Sequence, residues 1–159
     1  MSDPAARIEE LKTSLQLQPH VEGGHYRRFH PSKGTDNGGV RQAMSAIHYL
    51  LEAGQCSSWH RVDAEEAWHF VEGEPLELLI YDADHKSLRR HCLGPLATDV
   101  DAMVIVPARA WQAARPLGRY ALVTCMVAPA FTYDGFEMLE EDAPLARHLA
   151  GLAPEIPAP

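Results

Sequence analysis

From Arg41 to Val127 the chain alternates apolar and polar positions in short runs broken by Gly, Pro and Asp. That period of two places successive side chains on opposite faces of a strand. Residues 41–51, 57–62, 67–71, 76–81, 87–93, 102–106, 110–114 and 120–127 therefore read as strands. In 41–51 both faces lean apolar, Met44, Ala46, His48 and Leu50 against Ser45, Ile47, Tyr49 and Leu51, which suits a strand covered on both sides. An earlier run, 25–29, is bracketed by Gly23-Gly24 and by the Gly-, Asp- and Asn-rich segment 33–39. At both ends the pattern becomes helical. Asp3 can cap a helix starting at Pro4 with Ile8, Leu11 and Leu15 on one face, and Pro144 opens a second helix over 145–152 before a Pro-rich end. Many short strands with regular turns predict a sandwich or barrel. No linker or repeat divides the chain, so a single all-β domain over 1–159 with short terminal helices is expected.

A length of 159 residues suits one hydrophobic core. Hydrophobic residues at 46% and charged residues at 23% are ordinary for a globular domain and argue against disorder or a fibrous architecture. The net charge of −8 repels phosphate backbones and anionic membranes, so neither nucleic acid nor a membrane is an expected partner. Cys56, Cys92 and Cys125 are odd in number and lack C-x-x-C spacing. They argue against a disulfide framework or structural zinc and fit reduced thiols in the cytoplasm. No run of about 18 apolar residues and no apolar leader are present, which predicts a soluble protein.

Candidate chemistry gathers on two adjacent strands. Ser58, His60 and Val62 share one face of 57–62, and after a turn at Asp63-Ala64 the next inward row is Glu66, Trp68 and Phe70. The series Gly54, His60, Val62, Glu66, Gly73 resembles the first cupin motif, G-x5-H-x-H-x3-E-x6-G, with Val62 where a second histidine would stand. Pro107-Ala-Arg-Ala-Trp-Gln112 resembles the second motif, G-x5-P-x-G-x2-H-x3-N, keeping Pro107 but with Arg109, Gln112 and Pro116 at the glycine, histidine and asparagine positions. Pro19-His20-Val-Glu22-Gly23-Gly24-His-Tyr26-Arg27, Ser57-Ser-Trp59-His60-Arg61, Glu66-Ala-Trp68-His69-Phe70 and Val127-Ala128-Pro129-Ala130-Phe131 extend the likeness to one small family of single-domain cupins, over about Leu15 to Leu139.

The resemblance implies a double-stranded β-helix, a conical jelly-roll barrel open at one end. It also implies a homodimer and distant kinship to RmlC-type sugar-nucleotide epimerases and seed storage cupins. The cupin ligand set is reduced here to His60, Glu66 and Gln112, which would hold a divalent metal only weakly, because nitrogen donors and charge are both lost. Arg109 and Ala130 stand where the family usually has glycine, so the turn before Trp111 and the approach to Phe131 can differ locally.

Three functional readings follow. The leading one is a cupin binding a small polar metabolite, sugar-like or nucleotide-like, around His60, Glu66 and Gln112, with Ser58, Trp68, Phe70, Tyr26, Arg27 and Tyr49 as further ligand-binding candidates. The second is an isomerase or epimerase in which His60, oriented by Glu66, removes a proton and Tyr49 or Tyr133 returns one. The third is an enzyme using a weakly held metal. Against all three stands a self-satisfied His60–Glu66 pair inside a barrel. Trp59, Trp68, Phe70 and Trp111 can stack on a ligand or serve as core; parity puts Trp68 and Phe70 on the pocket side and leaves Trp59 and Trp111 between sheets or at the dimer contact. His20, His25 and His30 recur every five residues, which matches no single face and argues against a joint metal site, and His85 and His91 read as surface residues.

Overall fold

A computed structural model describes residues 3–31 and 41–157; the predicted loop over 33–39 lies outside them. Eleven strands and two terminal helices follow in chain order: α1 (Pro4–Ser14), β1 (Gln18–Pro19), β2 (His25–Pro31), β3 (Ser45–Glu52), β4 (Ser57–Val62), β5 (Glu65–Gly73), β6 (Leu76–Asp82), β7 (Ser87–Leu93), β8 (Met103–Val106), β9 (Trp111–Pro116), β10 (Tyr120–Ala128), β11 (Phe136–Met138) and α2 (Pro144–Leu152). They form a six-stranded sheet, β1-β2-β3-β10-β5-β8, facing a five-stranded sheet, β11-β4-β9-β6-β7. This is the predicted jelly-roll barrel.

Strict alternation decides which side chains fill the barrel. Tyr49 and Leu51 of β3, Trp68 of β5, Leu78 and Ile80 of β6, and Val123 and Cys125 of β10 point between the sheets and form the main core. The opposite faces carry separate clusters. Ile8 and Leu11 of α1 cover Leu50 and Leu122 on the outside of the larger sheet, anchored by a two-pronged Arg7–Glu72 pair with both N···O distances at 2.7 Å. Asp3 caps α1 by accepting the Ala5 N–H at 3.1 Å. Ala146 and Leu149 of α2 cover Trp59, Leu79 and Trp111 on the outside of the smaller sheet. Trp59 and Trp111 are thus helix-covered core, and Arg61 lies over the Trp111 ring at 4.7 Å.

At one end the core stops short and the barrel stays open. The chain enters this end through β1 and a tight turn in which the His20 N–H donates to the Gly24 carbonyl at 2.9 Å and the Gly23 N–H to the His20 carbonyl at 3.1 Å. Gly23 has φ +109°, and a Cβ there would stand 2.1 Å from the Cys56 carbonyl oxygen. Only glycine allows this approach. The Ser58 N–H then donates to the Glu22 carbonyl at 2.8 Å, so the turn is strapped directly across the start of β4.

Candidate functional site

The open end holds a cavity that encloses, with its mouth, about 500 Å³ of empty space. His60 and Glu66 line it together, on β4 and β5, one from each sheet. Two residues that the spacing argument set aside or left unassigned, His20 and Glu22, complete its floor. His20 and Glu22 are two apart in a turn, and the strap to β4 aims the Glu22 side chain at His60. The signal that could have found them was present in the Pro-His-x-Glu-Gly-Gly stretch: two polar side chains two positions apart, ahead of a glycine pair that permits close backbone approach.

His60 is 2% exposed. Its Nδ1 lies 2.8 Å from the Ser58 carbonyl, and a carbonyl only accepts, so Nδ1 carries the proton and Nε2 is left as the basic nitrogen. Nε2 stands 3.2 Å from Oε2 of Glu22. One proton must lie between them. Burial lowers the basicity of His60, and burial raises the Glu22 carboxyl to about 7, so near neutrality that proton rests on the carboxyl and is given up easily. The partner that His60 finds is therefore Glu22 rather than the Glu66 expected from sequence. Glu66 contributes through its charge, which pulls the basicity of His60 back up against the larger effect of burial.

Glu66, 7% exposed, is held from behind. The Trp68 Nε1–H donates to Gln112 Oε1 at 2.8 Å, which orients the amide so that its Nε2 donates to Glu66 Oε2 at 2.6 Å. Both ends of the Gln112 amide are engaged, and the residue is fully buried. Burial again dominates and pushes Glu66 up to about 7, with the Glu22 charge adding to the rise and His60 opposing it. The thiol of buried Cys125, also raised by burial, faces the same carboxyl. His20 accepts the Glu22 N–H on Nδ1 at 3.2 Å, which leaves its neutral ring protonated on Nε2, and burial keeps it neutral.

The walls and mouth are aromatic. Tyr26 packs edge-on against His20 with centroids 4.3 Å apart, and Phe131, Tyr133 and Phe136 form an aromatic cluster in the same lining with centroid separations of 5.2 to 6.4 Å. Tyr26 lines the cavity as expected from sequence, but the arginine beside it is Arg28. In a strand two neighbours cannot share a face: Tyr26 and Arg28 turn inward, while Arg27 turns out toward the Gln16 side chain. The other ligand-binding candidates lie away from the lining. Trp68 is fully buried one step deeper than Glu66 along β5, and Phe70 is deeper still, half-buried against the main core. The barrel narrows below Glu66, so the inward row becomes packing. Tyr49 is fully buried, and its hydroxyl donates to the Gly23 carbonyl at 2.7 Å, bracing the turn instead of facing a ligand. Ser58 contributes its backbone carbonyl to His60, and its side chain is half-buried outside the cavity lining. Tyr133, the other tyrosine considered, does stand at the mouth.

The ligand set expected from the cupin motifs, His60, Glu66 and Gln112, is not left free to hold an ion together. Val62 puts a hydrocarbon into the cavity where a second imidazole would be needed, Gln112 spends its amide on Trp68 and Glu66, and the free nitrogen of His60 is taken by Glu22. Among the described residues no three His, Cys, Asp or Glu side chains converge as ligands of an ion. The turn before Trp111 keeps the left-handed backbone that glycine would favour: Arg109 has φ +68°, and its N–H donates to the Val62 carbonyl at 2.7 Å.

Comparison with known proteins agrees with this architecture. A protein from Shewanella oneidensis superposes with a TM-score of 0.81 at 29% identity, over 98% of this chain and 92% of its own. A hypothetical protein from Leishmania major does so with a TM-score of 0.76 at 28% identity, over 92% of each chain. An oxalate decarboxylase from Bacillus subtilis shares the fold alone, with a TM-score of 0.59 at 13% identity over 84% of this chain and 33% of that one. No curated protein matches the sequence. The family model described as "Cupin superfamily (DUF985)" matches residues 9–139, and the chain belongs to that family.

Proposed function

We propose that this cupin binds a small polar metabolite, sugar-like or nucleotide-like, in the mouth of its barrel. The observation that carries this is the convergence of His20, Glu22, His60 and Glu66 on the floor of one accessible cavity with aromatic walls. A hydroxyl- or amine-bearing ligand finds acceptors in the two carboxyls and a donor in the His20 ring, while the aromatic walls suit the apolar face of a sugar or a base. Thermal-shift screening of metabolite sets tests the reading, with Glu22→Gln as a control: at a hundredfold excess over Kd a ligand stabilises by about 2.7 kcal/mol, and the variant should lose most of that. Absence of any stabilising compound across sugars, nucleotides and small acids would count against it.

An isomerase or epimerase is the second reading, favoured by the proton held between His60 Nε2 and Glu22 in a cavity that Tyr133 also lines. Here Glu22 supplies the role that sequence reading assigned to Glu66. Deprotonated Glu22 leaves His60 able to take a proton from a carbon beside a carbonyl, and the Tyr133 hydroxyl stands at the mouth to donate one. If His60→Asn leaves every measurable turnover unchanged, this reading fails.

A homodimer is the expected assembly, and the outside of the six-stranded sheet is the surface that supports it. The half of that face left uncovered by α1 presents Val71, Met103 and Ile105, each 46 to 50% exposed, beside His48, Thr124 and Met126. Glu52 and Glu72 at its α1 end are neutralised by Lys12 and Arg7. Two copies of a chain carrying a charge of −8 can approach face to face only where carboxylates are absent or paired, which favours a second copy of this chain on this sheet. The setting is inferred to be cytoplasmic, in keeping with three unpaired cysteines.

A further inference from the structure

We infer that the ligand carries an anionic group, a phosphate or a carboxylate, and that Arg28 at the mouth is its anchor. This rests on reading the cavity as a ligand site. Arg28 lies on the inward face of β2, two residues beyond Tyr26. Its guanidinium carbon lies 5.7 Å from the centre of the Phe131 ring, a cation–π approach at the cavity mouth. The Tyr26 and Tyr133 hydroxyls stand side by side there, and the charge of Arg28 reaches Tyr26. The guanidinium, with its fork of N–H donors, and the phenol proton not used between the two tyrosines supply donors at one end of the cavity, which suits the oxygens of a phosphate or carboxylate.

The two ends of the cavity have opposite character. The floor is acceptor-rich, with Glu22 held by His60 at Oε2 and Glu66 held by Gln112 at Oε2, and both carboxyls line the cavity. The mouth is donor-rich and cationic. Among the described residues Arg28 forms no ion pair, and it is the arginine that lines this cavity. At the rim of an acidic cup an inward-facing arginine with no acidic partner among the described residues keeps its positive charge available to an incoming anion. A ligand read in this order has its phosphate or carboxylate outward and hydroxyl or amino groups inward. A monosaccharide-sized polyol bearing one such group meets both ends.

Calorimetric titration with matched probes tests the inference. Ribose is compared with ribose 5-phosphate, and glucose with glucose 6-phosphate and gluconate, with inorganic phosphate alone as a further probe, on wild type, Arg28→Gln, Arg28→Lys and Glu22→Gln. Arg28 is exposed, so its replacement should leave the fold intact, which circular dichroism verifies. The anionic member of a pair should bind about tenfold or more tighter than the neutral one; Arg28→Gln should erase that preference without weakening the neutral member, and Glu22→Gln should weaken both. The phosphate and carboxylate arms identify which anion is preferred. Equal binding of neutral and charged members, or a preference that survives Arg28→Gln, overturns the anchor while leaving the cavity a ligand site. Inorganic phosphate binding as tightly as the sugar phosphate overturns the two-ended reading, and no binding by any sugar, charged or neutral, overturns both the anchor and the sugar-like ligand.

Discussion

His60 Nε2 and Glu22 Oε2 face each other at 3.2 Å across the floor of the cavity, joining β4 to a turn that precedes β2. Because the Ser58 carbonyl fixes the proton on the far nitrogen, this contact can hold together only by sharing one proton. The protonation of a buried carboxyl is therefore part of the resting site.

Stability should depend on pH accordingly. Burial raises Glu22 and Glu66 each from the ordinary carboxyl range to about 7, so the folded state holds protons that the unfolded chain has released. A raised carboxyl contributes stability in full below its unfolded pKa and loses it as pH rises through the folded one. His60 and His20 are shifted down by burial, so their contribution is lost in the opposite direction, as pH falls through the ordinary imidazole range near about 6.5. Above about pH 7 the unfolded histidines are mostly neutral and the carboxyls, half protonated at about 7, dominate, so the unfolding free energy should fall by up to about 0.7 kcal/mol per pH unit for each one. Glu22→Gln should remove roughly half of that slope. Urea denaturation across this range checks it, and a flat or rising wild-type curve would refute the assignment.

The Trp68–Gln112–Glu66 chain crosses between the sheets and should be energetically coupled. Gln112→Leu leaves a buried indole N–H and a buried carboxyl oxygen without partners, a loss of about 2–5 kcal/mol. Trp68→Phe strands the Gln112 oxygen and should cost about 1–3 kcal/mol by the same reasoning, plus lost packing. The double variant should be less destabilised than the sum, with a coupling of about 1 kcal/mol or more. Strict additivity in a denaturation cycle would mean that the chain is not a unit.

Two glycines in left-handed backbone should respond differently to alanine. Gly23→Ala meets the Cys56 carbonyl at 2.1 Å and must displace the turn that carries Glu22, so a loss of about 2 kcal/mol or more and loss of ligand binding are expected. Gly54, with φ +82° and nothing within 4 Å of an added Cβ, should cost about 1 kcal/mol and leave binding unchanged. Comparable losses for both would show that the contact with Cys56 does not govern the turn.

Arg109→Gly should stabilise. Its φ of +68° strains any residue with a Cβ, and the N–H bond to the Val62 carbonyl does not depend on the side chain. The gain should be about 0.5–1 kcal/mol, read as a rise in Tm. A fall in Tm would mean that the Arg109 side chain supplies more than its backbone costs.

Ile105→Glu places a charge in the uncovered sheet face, where Ile105 is 48% exposed in the single chain. Light scattering should find a dimer for wild type at micromolar concentration and a monomer for the variant, with the fold retained. A wild-type monomer would dismiss the face as an interface.

Sequence alone determined the architecture closely. The alternation that defined 57–62 and 87–93 as strands matches β4 and β7 end to end, because successive side chains of a strand leave from opposite faces. It also delivered His60 and Glu66 to one cavity, since both lie on inward rows of adjacent segments. It left β1 and β11 unmarked, at two and three residues too short to show a period. What only the tertiary structure decided is who meets whom across the cavity. Parity says which face a side chain leaves from, not how far the barrel narrows beneath it, so Trp68, Phe70 and Gln112 went to packing and support. The pairing of His60 with Glu22 depends on a turn with no periodicity of its own, fixed by a glycine that fits under a distant carbonyl and by one backbone hydrogen bond to β4. Contacts of that kind arise from three-dimensional closure, for which a linear pattern carries no record.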